Sequence, residues 1–504
     1  MTRPLVILDC YTVEPSGLGV PPYLSTYVRN AWSALAAARP GKDVRYLTID
    51  DVRWCLAGNR PAVPPPLSDR LTYSTTANRD QAVDLLRDAE AVVVIAGDKV
   101  PSVHLHAVNG FEQEISRAVA CVRGRRYLLG PLATYAVAGS AAYAGLFDAV
   151  HTHTITAANV TEGSRTAAPY AQLGAERKGF DGLLGQMPWT PIAEIELYRG
   201  CTRRSFCTFC NEPVKSPQVL HRDVDDVLEE VEQLYTAGVR NFRLGQQTCF
   251  FSYRGRDAEA IRALLAGIRE RCAELEVLHI DNADPLAVAS RSGQRIARTV
   301  AEFCTEGNCA PMGIESFDPV VIERNRLTCT PDILVRAVEN VNDAGAERGP
   351  GGLPKLLPGL NLIYGLPGES HATHMANLRG LGRILDAGLL CHRTNVRRAR
   401  AFPGTRLAEE AHAIAASAEQ FASWKADINH GWDEPMKQRV YRAGLRLPGL
   451  HSYFVDQDGT WFRRLGSYSI QVVEKGTAVP VATPADLVVT GHAPRVIYGK
   501  RDAA

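Results

Sequence analysis

The sequence predicts an α/β chain in three parts: a doubly wound sheet domain, a partial (β/α)6 barrel and a small β-rich domain at the C-terminal end. Three observations predict this. Over the first 150 residues, short apolar runs of strand length alternate with stretches of helical period. From Ile192 the same rhythm restarts and repeats more regularly. After Asn429 it stops, and Trp, Tyr and short strand-like runs replace it. The expected parts are 1–155 for the sheet domain, 156–190 for a linker with some helix, 191–410 for the barrel, and 411–504 for a helical connection and β-rich cap.

Each element has its own signal. Leu5–Leu8, Val44–Ile49, Ala91–Ala96 and Arg126–Leu129 read as strands, with Ala149-Val150 as a fifth. Tyr23–Ala38 and Glu112–Val122 read as helices between them, and Pro61–Pro66 as a surface loop. Strands follow at Ile192–Tyr198, Asn241–Gly245, Val277–Asp281, Ala310–Ile314, Leu360–Ile363 and Arg393–Arg400. The helices between them are Asp223–Ala237, Ala258–Leu275, Gln294–Cys304, Pro331–Ala344 and His371–Ala387. Gly238, Gly345 and Gly388 stand where helix C-caps belong. Six strands are too few for an eight-unit barrel and suit an open one. In the tail, Ser469–Val473, Ala485–Val489 and Val496–Tyr498 read as strands.

Composition narrows the function classes. The chain has 504 residues, 45% hydrophobic and 22% charged, which suits a globular protein with a large core. Lys+Arg of 56 against Asp+Glu of 55 leaves a net charge of +1, so no general polyanion-binding surface is indicated. The longest apolar run, Ala91–Ala96, is far short of a membrane span, and the N-terminal run is too short for a signal peptide. A cytoplasmic protein that does not engage membranes is expected. Twelve cysteines are too sparse for a disulfide scaffold, and in a reducing compartment clustered ones suggest metal.

Three cluster. Cys201, Cys207 and Cys210 form a C-x5-C-x2-C loop directly after a strand, with no fourth Cys within about 35 residues downstream. Three thiolates on one loop suit a [4Fe–4S] cluster held at three of its irons, the fourth left open for chemistry. The alternative is a zinc site completed by a remote His or Cys.

A Cys triplet after the first of six βα units resembles the radical SAM superfamily. The commoner spacing there is C-x3-C-x2-C, so two extra residues stand in the first gap. Four later motifs continue the resemblance in order: Phe242–Gln247, Met312–Ser316 ("GIES"), Ile363–Glu369 ("GLPGE") and Phe402–Thr405 ("PGT"). The resemblance implies that the open iron chelates S-adenosylmethionine, that an external flavodoxin- or ferredoxin-type donor reduces the cluster, and that a 5′-deoxyadenosyl radical results. It places Phe209 and Gly365 against the adenine, Gly245 and Gln246 by the methionine moiety, and Glu315 and Ser316 by the ribose or methionine part. Longer phrases, among them "LYRGC…CTFCNEP" and "NVRRARAFPGT", resemble a little-studied group with an N-terminal cobalamin-binding-like domain, often with a helix-hairpin-helix tail. The D-x-H-x-x-G signature that donates a His to cobalt is missing. That weakens the expectation of cobalamin without removing it, because such domains also bind it without that His. If bound, it would lie against the loops Asp9–Tyr23, Gly97–Val103 and Gly130–Tyr135.

The remaining candidates each carry a plainer reading. Asp281 and Asn282, at the end of the third barrel strand, are expected to face the substrate cavity, with helix capping by Asn282 or Asp284 as the alternative. Among Arg393, Arg397, Arg398 and Arg400, Arg397 is expected to pair with the cofactor carboxylate or an anionic substrate, against a solvated edge strand. Cys10, Cys55 and Cys121 read as structural thiols rather than a second cluster, and so do Cys304, Cys309 and Cys329. His151 and His153 read as a solvated loop. The tail from Lys437 has ten Lys/Arg against five Asp/Glu and includes Trp461, Tyr468 and Tyr498, which suits either RNA contact or a lid. The expected function is carbon-centred radical chemistry on a small metabolite, with methyl transfer if cobalamin binds. The alternative is modification of tRNA or peptide, methylthiolation included.

Overall fold

The computed structural model describes residues 3–12, 23–56, 75–97, 109–134, 143, 145–410, 418–466, 470–480 and 482–502. The chain forms two compact units: residues 1–196 with 212–242, and 197–211 with 243–504.

The first unit is built on five parallel strands, β1 (Leu5–Asp9), β2 (Val44–Thr48), β3 (Ala91–Ile95), β4 (Arg125–Leu129) and β5 (Ala149–His151), in the order β2-β1-β3-β4-β5. β1 and β3 are buried along their whole length, which is why they read as continuous apolar runs rather than alternating ones. Helix Thr26–Ala38, capped by Ser25, and helix Glu112–Ala120 flank the strands in sequence. The strand order reverses between β1 and β3, the place where open α/β sheets bind ligands beyond their carboxyl ends. His151 does not lie in a solvated loop. It closes β5 fully buried, and burial holds its imidazole down at about 4. The linker region contains helices Tyr170–Glu176 and Phe180–Leu184. The short strands β6 (Ala193–Ile195) and β8 (Leu220–His221) also belong to this unit, with β7 (Tyr198–Arg199) between them in sequence but in the second unit. Helix Val224–Thr236 carries Glu230, which accepts from Arg29 at 2.9 Å and Arg222 at 2.7 Å with all three side chains buried.

The second unit contains the end of β9 (Asn241–Leu244), then β10 (Val277–Ile280), β11 (Asn308–Glu315), β12 (Leu356–Tyr364) and β13 (Thr394–Arg398). β11, β12 and β13 pair in parallel, with a register shift between Gly313 and Glu315. The helices following these strands begin at Ala258, Arg291, Pro331 and His371. Gly238 and Gly388 have the left-handed backbone of helix caps. Gly345 instead ends its helix, where a Cβ would run into Leu356 of β12; its role is close packing.

After β13 the helices Ala418–Ile428 and Glu434–Val440 lead into a closed five-stranded barrel. Its strands are β14 (Arg446–Asp456), β15 (Gly459–Arg463), β16 (Gln471–Lys475), β17 (Pro484–His492) and β18 (Ile497–Arg501). Sequence reasoning finds three of the five. β14 escapes it because Pro448-Gly449 interrupts the alternation, at a register shift between Leu447 and Leu450. Asp456 and Gly459 pair across the two-residue turn Gln457-Asp458 that leads into β15.

Candidate active site

The Cys loop is fixed from three sides, all within the second unit. Tyr198 is fully buried; its hydroxyl donates to the Cys249 carbonyl at 2.8 Å and accepts from the Cys249 amide at 3.0 Å. Thr248 donates to the Gly200 carbonyl at 3.2 Å, where a left-handed glycine turns the chain into the loop. Farther along, the Thr208 hydroxyl donates to Asn325 at 2.7 Å, and the Leu407 amide donates to the Thr208 carbonyl at 2.9 Å. Asn325 in turn donates to the Pro367 carbonyl at 2.8 Å, which couples the loop to the turn after β12.

Arg203 lies in the widened gap of the Cys motif. It donates to Cys207 Sγ at 3.0 Å and pairs with Asp284 at 3.0 Å. Burial pushes the Cys207 thiol up, and the Arg203 guanidinium opposes that. Asp284 also caps the short helix Pro285–Val288 by accepting from the Leu286 amide, so capping and ion pairing coexist in one carboxylate.

Glu315 stands at the carboxyl end of β11, immediately after the bulge. Its φ is +62°, in the left-handed region, and its carboxylate folds back over Gly313, where a Cβ would collide with it. The glycine of the "GIES" motif therefore makes room for the motif's own acid. Burial raises the Glu315 carboxyl to about 7, with Arg203 and Arg397 opposing. Its Oε2 is buried without a hydrogen-bond partner. A buried carboxylate oxygen left unpaired is costly, and such groups gather where a ligand completes them.

The other expected residues are placed as follows. Gly365 has φ +87° and its amide donates to Glu369 at 2.7 Å; the second Glu369 oxygen is buried and unpartnered, and burial raises that carboxyl to about 7. Ser316 is buried, and its hydroxyl accepts from the Asp318 amide at 3.1 Å. Gly245 is buried, Gln246 is half-buried with φ +72°, and Phe209 is half-buried. Gln247, next to Gln246 in the chain, is structural, accepting from the Leu197 amide and donating to the Leu244 carbonyl. Arg397 pairs in register with Ile363 and is felt by Glu315. Asp281 is paired with buried Arg243. Asn282 presents its carbonyl to the Phe250 amide at 2.7 Å. Thus Cys207, Arg203, Asp284, Glu315 and Arg397 form one electrostatic group, whereas Asp281 belongs to a separate buried pair. Arg203 and Asn325 lay outside sequence reasoning. Only the enlarged gap hinted at the first, and nothing marked the second.

No three Cys, His, Asp or Glu side chains among the described residues converge on a point that one metal ion could share. A cubane does not need such a point, since its three thiolates bind three different irons. The donor set, one loop carrying three cysteines pinned at Gly200 and Thr208, fits that group. Cys304, Cys309 and Cys329 are all buried, and burial raises each thiol, as structural thiols behave. Cys10 is buried, Cys55 donates to the Arg79 carbonyl, and Cys121 is exposed at a helix end.

Residues 195–378 match the radical SAM superfamily. An uncharacterized protein of Methanocaldococcus jannaschii is 32% identical over 98% of this chain and 92% of its own length. Another, from Archaeoglobus fulgidus, is 31% identical over 92% of this chain and 84% of its own. The chain belongs to the radical SAM superfamily. A solved radical S-adenosylmethionine methyltransferase from Kitasatospora setae, with cobalamin and a [4Fe–4S] cluster bound, shares the fold at TM-score 0.51 and 14% identity, over 83% of this chain and 76% of that one. This radical SAM enzyme therefore uses the superfamily's cluster and S-adenosylmethionine. No helix among its described residues is long and apolar enough to cross a membrane.

Proposed function

We propose that this radical SAM enzyme performs carbon-centred radical chemistry on a small metabolite, at a site defined by the Cys loop and the carboxyl ends of β11, β12 and β13. When bound, the cluster and S-adenosylmethionine supply one-electron cleavage of a sulfonium and hence a carbon radical. Cys201, Cys207 and Cys210 would hold the cluster. Arg203 orients the Cys207 sulfur and keeps a positive charge beside it, and Asp284 holds Arg203 in place. Glu315 would receive the cofactor's ammonium, and Arg397 its carboxylate. Phe209 and Gly365 would receive the adenine, and Gly245, Gln246 and Ser316 the methionine and ribose parts. Asn282 would border the substrate, while Asp281 holds the buried Arg243 beside it. A flavodoxin- or ferredoxin-type protein would supply electrons.

The observation that carries this reading is the Glu315 carboxylate: buried, half unpaired, aimed by a bulge and flanked by two arginines. Reduced, reconstituted protein given S-adenosylmethionine should release 5′-deoxyadenosine. Changing Cys201, Cys207 and Cys210 together to Ala should abolish that release and drop iron from about four per chain to a trace. Full iron content in the triple variant refutes the ligand assignment.

Methyl transfer through cobalamin is a second reading. It is favoured by the β2-β1-β3-β4-β5 order of the first unit, which puts a switch point between β1 and β3. Of the loops expected against the corrin, residues 13–22, 98–103 and 135 lie outside the described residues, while Gly130–Thr134 lie within them. Less than about a tenth of a corrinoid per chain, in protein from cobalamin-fed cells with a full cluster, retires it.

A further inference from the structure

The C-terminal barrel has a connectivity its sequence did not announce. β14 pairs antiparallel with β15, β15 antiparallel with β16, β16 parallel with β18, β18 antiparallel with β17, and β17 antiparallel with β14. In strand order this is 1-2-3-5-4 and back to 1, with the single parallel pair between the third and fifth. That is the connectivity of the OB-fold, whose ligands lie on the face of strands two and three and at the loop between strands four and five.

Which side chains face outward follows from the register. Phe462, Val472 and Ile497 are partners across β15, β16 and β18, all fully buried, and a Cβ on Gly499 would run into Val472. These fill the barrel. The alternating row therefore faces out: Trp461 opposite Val473, and Val473 opposite Tyr498. Trp461 and Val473 form the floor of a small cluster with Tyr453 and Val496, against which Phe454 and Tyr498 pack half-buried. Aromatic rings at this position are interleaved with cations. Lys475 Nζ stands 4.1 Å from the centre of the Tyr498 ring, and the Arg463 guanidinium 4.5 Å from that of Tyr453. Lys475 and Lys500 are exposed on the same outward face. Three of the tail's five acids pair with arginines, Glu474 with Arg501 and Asp486 and Asp502 with Arg446, while Asp456 and Asp458 lie at the β14–β15 turn.

The loop from β17 to β18 extends this cationic face. The carbonyl of Pro494 accepts from buried Lys437, and Arg495 beside it is exposed. The charge of Arg495 acts on both Lys437 and Lys425, and Lys425 also feels Arg397, which in turn acts on Glu315. Burial pushes both lysines down to about 8, and among the acids Asp433 acts on each.

We propose that the C-terminal barrel binds a single-stranded polynucleotide, its bases stacking on the half-buried rings of Tyr498 and Phe454 and its phosphates lying along Lys475, Lys500 and Arg495. Stacking is tolerant of base identity, and the lysines supply the phosphate contacts such sites need. A neutral oligosaccharide would use the rings but leave the lysines unmatched. This binding is separate from the radical chemistry proposed above and is measured with no cofactor present, so either can fail without the other.

The test is fluorescence anisotropy of labelled twelve-nucleotide RNA and DNA strands with the full chain, in a potassium chloride series. Single strands should bind at micromolar concentration in 50 mM salt, with log Kd rising by about 2 per decade of salt, roughly 0.7 for each of three cations. Tyr498→Ala should weaken binding about five- to a hundredfold. The exposed double change Lys475→Glu and Lys500→Glu should weaken it and lower the salt slope by about 1.4. Binding of either strand supports the proposal, the tighter one naming the polymer. It is overturned if neither strand binds at 100 µM, if duplex RNA binds as tightly as a single strand, or if the double variant, folded by circular dichroism, binds like the parent.

Discussion

Replacing Glu315 with Gln should move stability and cofactor binding in opposite directions. Burial holds the Glu315 carboxyl at about 7 against an ordinary value of 4.5. A difference of about 2.5 pH units corresponds to at most about 3 kcal/mol at 1.36 kcal/mol per unit. The folded value lies above the unfolded one, so the penalty is absent below pH 4.5, grows as pH rises through 7, and is complete above it. Glu315→Gln removes it. In cluster-free protein the variant should therefore be more stable than the parent by up to about 3 kcal/mol at pH 8, and equal to it below about pH 4. Its amide still fits over Gly313, because no volume is added. S-adenosylmethionine binding should fall about ten- to a hundredfold in reconstituted protein, since a charge-assisted hydrogen bond contributes about 1.5–3 kcal/mol. Urea denaturation at the two pH values and equilibrium dialysis read these two effects. A variant that is no more stable at pH 8, or that binds the cofactor as well as the parent, refutes the reasoning.

Two further outcomes concern the first unit. Glu230→Ala should destabilise it by about 3–5 kcal/mol in calorimetry, because Arg29 and Arg222 would be left buried without their shared carboxylate; a loss under 1 kcal/mol would show the arginines finding other partners. At the carboxyl end of β1, burial raises Asp9 to about 7 although it accepts from the Tyr11 amide and the Tyr46 hydroxyl. Its stabilising contribution is present below about pH 4 and lost as pH rises through 7. Asp9→Asn should accordingly stabilise the unit at pH 8, by at most about 4 kcal/mol, and leave it unchanged near pH 4. Asp51, also raised to about 7 by burial, would keep part of the pH dependence. A pH-independent effect of Asp9→Asn contradicts the assignment.

Much of the architecture is legible in the residues because it depends on neighbours in sequence. The unbroken apolar run of Ala91–Ile95 can only be a strand buried on both faces. Thr330, with Pro331 after it, starts a helix through its own hydroxyl, which accepts from the Ile333 amide. The Cys triplet was legible for the same reason, since all three ligands sit on one short loop. The local pattern fails where a strand is broken, as at Pro448-Gly449, or where a residue serves another segment. Gly345 looked like a cap and is a packing contact with Leu356.

What the tertiary structure decided is which distant groups meet. Arg203 finds Asp284 81 residues away, and Thr208 finds Asn325 117 residues away. No period or spacing encodes either pair, because each depends on how separate βα units stack. The state of Glu315 was equally hidden. Its letter appears in the motif, but the bulge that turns it, the glycine it covers and the burial that raises its carboxyl exist only once β11 lies beside β12. The barrel's closure is the largest such case. Five short strands announce hairpins at most, while the parallel pairing of β16 with β18 joins segments with β17 between them, and it arises only as the sheet curls to bury Phe462, Val472 and Ile497 together. Sequence alone determined most of the elements and the three-thiolate donor set of the Cys loop, since hydrogen bonding and hydrophobic periodicity act over a few residues. Charge, burial and partner choice at the site were left to the fold, because desolvation and ion pairing depend on every segment that surrounds a group.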